Sequence, residues 1–323
     1  MINKSMNQPL ITIGIATFNA SKTIEGCIQS ALQQSWGKIE IVIVDDCSQD
    51  STIDILFDLA KDNKVIKVFK NEENFGIGFV RNRIIKEAKG EFLAFFDDDD
   101  YSYFNRLEIQ YNKIIDFEKN NKSNLPVICH SSRKVIFPNG RISLYPTMGT
   151  DVNSNVPNGL PVAKRILLGY PLKNGYGSCP TCSQMARLSA YKMVSGFDAN
   201  FRRAEDTDLI IRFAFIGAYF IGIETPLVEQ RMTLTSDKSI DIDFKYIFLL
   251  IKKYKFFIEK NGNYKFCRLW LKIKYYFSRR MFLIMFTKLI FVFLKYPLET
   301  FKRLIYSVKN IKLNNDFASF HSK

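Results

Sequence analysis

The sequence predicts an α/β fold: a mostly parallel sheet flanked by helices, Rossmann-like in plan, followed by a helical C-terminal region. Three observations carry that expectation. The first 100 of the 323 residues repeat a strand-then-helix pattern, which leads to parallel strands. The strand-like runs end in polar clusters, and open α/β sheets bind ligands at the carboxyl ends of their strands. The composition then changes. Residues 244–323 hold 18 Lys and Arg against Glu259, Glu299 and Asp316, a net of +15, so the remainder of this +14 chain stands at −1.

Taken in order, Leu10 to Thr17 is apolar and β-branched, the composition of a strand. Ser21 to Gln34 then places Ile24, Ile28, Ala31 and Leu32 at helical spacing. Ile39 to Val44 reads as a second buried strand closing on Asp45-Asp46, and Asp50-Ser51-Thr52 opens a helix over Ile53 to Ala60. Val65 to Phe69 is a third strand, Gly76 to Ala88 the helix after it, and Glu91 to Phe96 a fourth strand. Val127 to Phe137 and Arg141 to Tyr145 flank Pro138-Asn139-Gly140, a hairpin signal. Pro146 to Pro161 is polar and turn-rich, the composition of a loop. Leu209, Ile210 and Phe213 form a helical stripe that stops at Gly217.

The chemistry concentrates where the fourth strand ends, in four consecutive aspartates, Asp97 to Asp100. Four carboxylates repel one another, so a fold that gathers them needs something positive between them. Hard cations such as Mg²⁺ or Mn²⁺ take oxygen ligands and usually bind through one or two carboxylates plus the phosphates of a substrate. The bland alternative is a solvated acidic loop with a capping aspartate. Thr17-Phe18-Asn19, Asp45-Asp46 and Asp97 to Asp100 all fall at strand ends, so the sequence expects them to converge on one crevice, the outline of a nucleotide site.

These residues carry a family resemblance. Ile13 to Asn19, Val44 to Thr52, Asn74-Phe75-Gly76 through Arg81-Asn82, and Phe95 to Asp100 resemble the nucleotide-binding half of a family 2 glycosyltransferase. Gly196-Phe197-Asp198 through Arg203 to Leu209 is similar to that family's acceptor-side motif. The segments follow the family's order from about residue 10 to about residue 232. The resemblance implies a GT-A-like fold, a nucleotide-sugar donor, a divalent metal and inversion at the anomeric carbon. It also implies roles. Thr17 and Asp46 match positions that contact the nucleobase, with Asn19 and Asp45 beside them, and Arg81 matches an arginine near the base or diphosphate. Asp97 and Asp98 match the ribose and metal region, Asp99 the carboxylate on the metal, Glu205 the acceptor side and Asp206 the catalytic base. The family usually carries a small residue where this chain has Asp98. The chemistry agrees independently: transfer from a sugar nucleotide needs the leaving diphosphate neutralised and the acceptor hydroxyl deprotonated as it attacks.

Other motifs point elsewhere and fail. Gly76-Ile77-Gly78 lacks the third glycine of a dinucleotide fingerprint and does not follow the first strand. Cys179-Pro180-Thr181-Cys182 is a lone pair in a chain with two histidines, too few ligands for a structural zinc. Six scattered cysteines and an N-terminus without an apolar core lead to the expectation of a cytoplasmic location. The basic tail interleaves Tyr254, Phe256, Phe257, Tyr264, Phe266, Trp270 and Tyr275 with its cations, as nucleic-acid and anionic-membrane surfaces both do. The run Met281 to Leu294, with Lys288 its only charge, favours the membrane; shorter than the ~20 residues of a span, it suits the interface. The sequence therefore predicts a catalytic domain over 1–243, with a nucleotide-binding half at about 10–125 and an acceptor half at about 126–243, then a membrane-associating region over 244–323. Expected partners are a UDP-sugar donor, a lipid-linked or surface-glycan acceptor and the inner face of an anionic membrane, with Mn²⁺ or Mg²⁺ as cofactor and no nucleic acid. The rival classes are a metal-dependent nucleotidyltransferase, which would also use clustered aspartates, and a basic nucleic-acid-binding protein, which leaves the aspartates unexplained.

Overall fold

A computed structural model of the protein describes residues 8–151, 155–232 and 239–308. The chain divides into two compact units, one formed by Met1–Gly159 with Lys173–Thr233, the other by Leu160–Leu172 with Leu234–Lys323.

The first unit begins with the expected alternation: β1 (Ile11–Thr17), α1 (Ile24–Leu32), β2 (Ile39–Asp45), α2 (Thr52–Lys61), β3 (Ile66–Lys70), α3 (Ile77–Glu87) and β4 (Phe92–Asp97). It continues through β5 (Tyr101–Ser102), α4 (Arg106–Asn121), β6 (Val127–Ile136) and β7 (Ile142–Tyr145). After α5 (Leu160–Leu168), which belongs to the other unit, come a 3₁₀ turn (Thr181–Ser183), β8 (Gln184–Arg187), α6 (Leu188–Met193), α7 (Glu205–Phe215) and β9 (Tyr219–Arg231). The sheet runs β3-β2-β1-β4-β8-β6-β9-β5, with β7 paired to β6.

β1 is buried throughout, and its isoleucines Ile11, Ile13 and Ile15 join Ile41, Ile43, Phe92 and Phe96 against Ile24, Ile28 and Leu56 of α1 and α2. Each such side chain contributes about 1.5–3 kcal/mol of burial. Gly90 must be glycine, because a Cβ there would stand 2.6 Å from the Thr12 amide nitrogen. The second helix starts where the sequence puts it, and just before it Asp50 accepts from the Thr52 amide at 3.0 Å. Hydrogen bonds from Thr52 and Ser21 overcome the effect of burial and push the Asp50 carboxyl down to about 2.

β1, β2, β3 and β4 are parallel, with Thr17 beside Asp45 and Ala16 beside Asp97. That register brings the three polar clusters to one edge of the sheet. Beyond β4 the sheet is mixed: β8 is antiparallel to β4 and β6, β9 is parallel to β6, and β5 is antiparallel to β9. The parallel character expected of the whole sheet thus belongs to its first four strands. It gives way where the expected hairpin, β6 with β7, turns the chain back. Of the polar loop after it, residues 152–154 lie outside the described residues, and the chain enters a helix at Leu160.

The second unit is helical: α5, then α8 (Ile240–Lys253), α9 (Lys255–Asn261), α10 (Tyr264–Ser278), α11 (Phe282–Lys295) and α12 (Pro297–Val308). Ser239 and Asn263 cap α8 and α10, accepting from the Ile242 amide at 3.3 Å and the Phe266 amide at 3.0 Å. Leu167 and Leu168 of α5, Ile258, Phe266, Cys267 and Trp270 are buried, and the Tyr170 hydroxyl donates to the Asn261 carbonyl at 2.8 Å. α11 buries only Met285 and Val292, leaving Leu283 81% and Leu294 77% exposed beside Phe286, Ile290, Phe291 and Phe293. Among the described residues no helix is long and apolar enough to cross a membrane.

Candidate active site

The loops that follow β1 and β2 are tied to each other. The Asn19 amide donates to Ser48 Oγ at 2.8 Å, and Asn19 Oδ1 accepts from the Gln49 amide at 2.8 Å. Asn19 and Cys47 both sit in the left-handed region, at φ 51° and 64°, where non-glycine residues are uncommon. Thr17 is buried at the end of β1. Asp45 is fully buried and faces Ser48, accepting from its amide at 3.0 Å and from its hydroxyl, so it shapes the turn. Asp46 accepts from Asn71 Nδ2 at 2.8 Å, the Phe75 amide at 3.1 Å and the Gly76 amide at 2.8 Å. It holds the loop that enters α3. A carboxylate offers about four acceptor positions, so Asp46 keeps room for one more donor, such as a base N–H.

The four aspartates part company at the end of β4. Asp98 accepts from the Phe18 amide at 3.3 Å, and burial, then the charges of Asp99 and Asp97, push its carboxyl up to about 7. Asp100 is buried. Its Oδ1 accepts from the Arg231 amide at 3.2 Å while its Oδ2 has no hydrogen-bond partner among the described residues, and burial with the charges of Asp97 and Asp99 raises it well above the usual range. Among the described residues, Asp97, Asp100 and Cys182 bring ligand atoms within 4.8 Å of one another. The two carboxylates suit a hard divalent cation, and the orphaned Asp100 oxygen is the kind of group such an ion would satisfy; the thiol suits softer metals. The trio differs from the resemblance, which put Asp99 on the metal with Asp97. The turn after Asp97 closes by an Asp100 amide to Asp97 carbonyl bond of 3.1 Å. Cys182 groups with these aspartates; the lone Cys-x-x-Cys does not form a cluster with Cys179 among the described residues.

Arg81 of α3 ties this group to the far side of the crevice. Its guanidinium is buried, donating to Glu205 Oε1 at 2.7 Å and to Asp97 Oδ1 at 3.1 Å, with Phe197 and Phe95 rings 5.4 and 5.9 Å away. Burial opposes its charge, but Asp97 and Glu205 prevail and raise its pKa. Glu205 shows the converse: burial first, then the charge of Asp206, push its carboxyl up to about 7 against the pull of Arg81. Glu205 and Asp206 form the first turn of α7, which the sequence also allowed as a plain charged helix start. The turn is fixed unusually firmly. Ala204 before it is left-handed at φ 63°, a conformation held only where the surroundings over-determine it. Asp206 Oδ1 accepts from the amide and hydroxyl of Thr207 at 2.6 and 3.1 Å. Buried Asp208 binds Arg212 at 2.7 Å, and Arg212 in turn donates to the carbonyls of Val194 and Gly196. Asn82 grips Phe197 both ways, donating to its carbonyl at 2.8 Å and accepting from its amide at 2.6 Å. The donor-side and acceptor-side motifs are therefore locked together by α3.

Sequence reasoning named Asp206, Glu205, Arg81, Thr17, Asn19, Asp45, Asp46, Asp97, Asp98 and Asp99, and all lie at the carboxyl ends of the strands or on the helices that face them. It did not assign Asp100, Cys182 or Asn82. Asp100 and Asn82 carried a signal, the one being part of the run and the other standing beside Arg81 in the motif; Cys182 reaches the site through the sheet topology.

Comparison with known proteins gives three findings. Residues 12–140 match the family model described as Glycosyl transferase family 2. Escherichia coli WfaP, a UDP-Glc:alpha-D-GlcNAc-diphosphoundecaprenol beta-1,3-glucosyltransferase, is 44% identical over 92 residues, covering 28% of this chain and 36% of WfaP. The uncharacterized glycosyltransferase RT0329 of Rickettsia typhi is 29% identical over 224 residues, 69% of this chain and 64% of that protein. The first curated relatives are matched over only 28%, 41% and 43% of their own length. Among solved structures, S. aureus TarS 1–349 in complex with UDP-GlcNAc aligns with a TM-score of 0.56 at 19% identity, covering 83% of this chain and 72% of that one; the likeness is one of fold, GT-A-like.

Proposed function

Because residues 12–140 make the chain a member of the family 2 glycosyltransferases, we propose that it transfers a hexose or N-acetylhexosamine from a UDP-sugar, with inversion, to a lipid-linked or surface-glycan acceptor. One observation carries the reading: Arg81 joins a donor-side carboxylate, Asp97, to the acceptor-side Glu205, so both ends of the reaction are built into one rigid frame.

In this reading Thr17 and the remaining acceptor position of Asp46 hold the nucleobase, while Asn19 and Asp45 keep their loops in shape. Asp98, near neutrality in its pKa, faces the ribose as donor or acceptor. A bound Mn²⁺ or Mg²⁺, held by Asp97 with Asp100 or Asp99, would neutralise the leaving diphosphate as a Lewis acid. Asp206 accepts the proton of the attacking acceptor hydroxyl, a step that a carboxylate within hydrogen-bond reach accelerates by about 10²–10⁴-fold. With a single base and no covalent nucleophile, one displacement opposite the leaving group inverts the centre. Arg81, bridging Glu205 to Asp97, fixes the helix turn that carries Asp206 beside the aspartates.

The UDP-sugar and the lipid-linked acceptor are supported by what the relatives are named for: WfaP uses UDP-Glc on a GlcNAc-diphosphoundecaprenol, and the TarS crystal holds UDP-GlcNAc. Association with the inner face of an anionic membrane is supported by the apolar surface that α11 exposes among the described residues and by the cations along it, Arg279, Arg280, Lys288 and Lys295. The test is product analysis. Incubation with a UDP-sugar and Mn²⁺ should release UDP; release of pyrophosphate from a nucleoside triphosphate in its place would make the protein a nucleotidyltransferase.

A further inference from the structure

We propose that a buried polar chamber behind the aspartates receives the hydroxyls of the transferred sugar, and that His130 and Gln184 select which sugar is accepted. The proposal rests on the donor reading above.

Among the described residues, five polar atoms on neighbouring elements are buried without a hydrogen-bond partner: His130 Nδ1, Ser132 Oγ, Thr147 Oγ1, Thr181 Oγ1 and Gln184 Oε1. Each buried group left unsatisfied costs about 1–3 kcal/mol. Five in one neighbourhood describe a wall that something polar covers.

The backbone shows that they share a neighbourhood. His130 on β6 pairs with Gln184 on β8, and their side chains meet at 3.0 Å. The 3₁₀ turn that carries Thr181 leads directly into β8, and Cys182 of that turn lies within 4.8 Å of Asp97 and Asp100. On its other side His130 pairs with Gly222 of β9. A Cβ at Gly222 would stand 2.3 Å from the Met148 carbonyl, and its amide donates to the Gly149 carbonyl at 3.0 Å, so the loop of Thr147 lies against this strand. The Ser178 amide closes the loop on the Pro146 carbonyl at 3.1 Å. The β6–β9 register breaks on both sides of Ser132. Such bulges re-aim side chains and are frequent beside active sites.

The chemistry of the wall selects the ligand class. Gln184 donates to His130 Nε2, so the neutral imidazole carries its proton on Nδ1 and offers a donor, while Gln184 Oε1 offers an acceptor. Burial, then Arg133 and Arg106, push His130 down to about 3, so it stays uncharged. Neutral donors, neutral acceptors and hydroxyls suit sugar hydroxyls, which both donate and accept. Because the wall adjoins Asp97 and Asp100, the sugar is that of the donor.

The test uses the full chain and the variants Gln184→Leu, Thr147→Val and Ser132→Ala, the last two removing a hydroxyl with little change of shape. Calorimetry gives the affinity of each for UDP and for UDP-glucose, UDP-galactose and their N-acetylated counterparts. UDP affinity should stay within about two-fold throughout, while affinity for the preferred UDP-sugar falls about ten-fold or more in Gln184→Leu and discrimination between C4 epimers narrows. If the ratio of UDP-sugar to UDP affinity is unchanged in all three variants, the inference is overturned. An unchanged ratio with a raised unfolding midpoint in Thr147→Val would identify the chamber as an internal water pocket, also against it. Should the wild type bind UDP but no UDP-sugar, the donor reading itself fails, a result visible before any variant is made.

Discussion

Replacing Arg81 by methionine should destabilise the first unit in a way that depends on pH. The substitution keeps the apolar stem beside Phe95 and Phe197 and removes the charge that faces Glu205 at 2.7 Å and Asp97 at 3.1 Å. Breaking a buried pair by deleting one partner costs about 3–5 kcal/mol, because the other charge is left uncompensated. Glu205 can escape that cost by taking a proton. Its carboxyl already stands at about 7 in the fold, above the ordinary 4.5, so the folded state binds the proton more tightly than the unfolded state does. Its contribution is therefore full at low pH and is lost as pH rises through 7, a difference of about 3 kcal/mol for the wild type. In Arg81→Met, the loss should be about 3–5 kcal/mol at pH 8 and below about 2 kcal/mol at pH 5.5, where Glu205 is protonated in both proteins. The chain has one tryptophan in each unit, Trp36 and Trp270. Urea unfolding in a Trp270→Phe background, with chelator present, therefore follows the first unit through Trp36. Adding Glu205→Gln to Arg81→Met should recover about half the loss at pH 8. An equal loss at both pH values, or a loss under 1 kcal/mol at pH 8, would refute the buried bridge.

Asp206→Asn keeps the size of the side chain and removes the base, so transfer should drop by roughly 10²-fold or more while donor affinity, measured by calorimetry, stays within a few-fold. Asp97→Ala should abolish the Mn²⁺-dependent part of UDP binding; comparing Asp99→Ala with Asp100→Ala in the same titration decides which carboxylate completes the metal site. Leu283→Asp with Leu294→Asp alters two of the most exposed leucines of α11, so the fold should be unaffected while partition onto anionic vesicles falls by about 10²-fold. High salt should release only part of the wild type, since screening weakens the cations and leaves apolar burial intact. Binding to vesicles that is unchanged by the leucine pair would remove the membrane role of α11.

What was legible in the sequence was whatever local pattern encodes. The parallel strands could be read because each is a short apolar run bounded by polar residues. The convergence of Thr17, Asp46 and Asp97 then followed from strand ends alone. The mixed half of the sheet could not be read in the same way, because β8 has four residues and its partners β4 and β6 are distant in sequence. The same distance hid Cys182, which nothing local distinguishes from the rejected Cys-x-x-Cys. Arg81 was assigned to the nucleotide by its motif, whereas its bridge to Glu205 spans 124 positions and is a tertiary fact. The grouping of Leu160–Leu172 with the C-terminal helices was likewise invisible to composition, since the stretch is too short to announce its partner. The exposed apolar face of α11 went the other way: an apolar run of sub-spanning length was readable at once, and the fold leaves that run largely uncovered.

The measurement that bears most directly on the account is the nucleotide product formed from a panel of UDP-sugars by the full chain with Mn²⁺, with chelator, and in Asp206→Asn. Slow release of UDP from at least one sugar nucleotide, lost with chelator and accelerated by a GlcNAc-diphospholipid acceptor only when Asp206 is intact, is the expected result. UDP release that ignores both the chelator and Asp206, or none from any UDP-sugar, would contradict a metal-assisted transfer driven by that carboxylate.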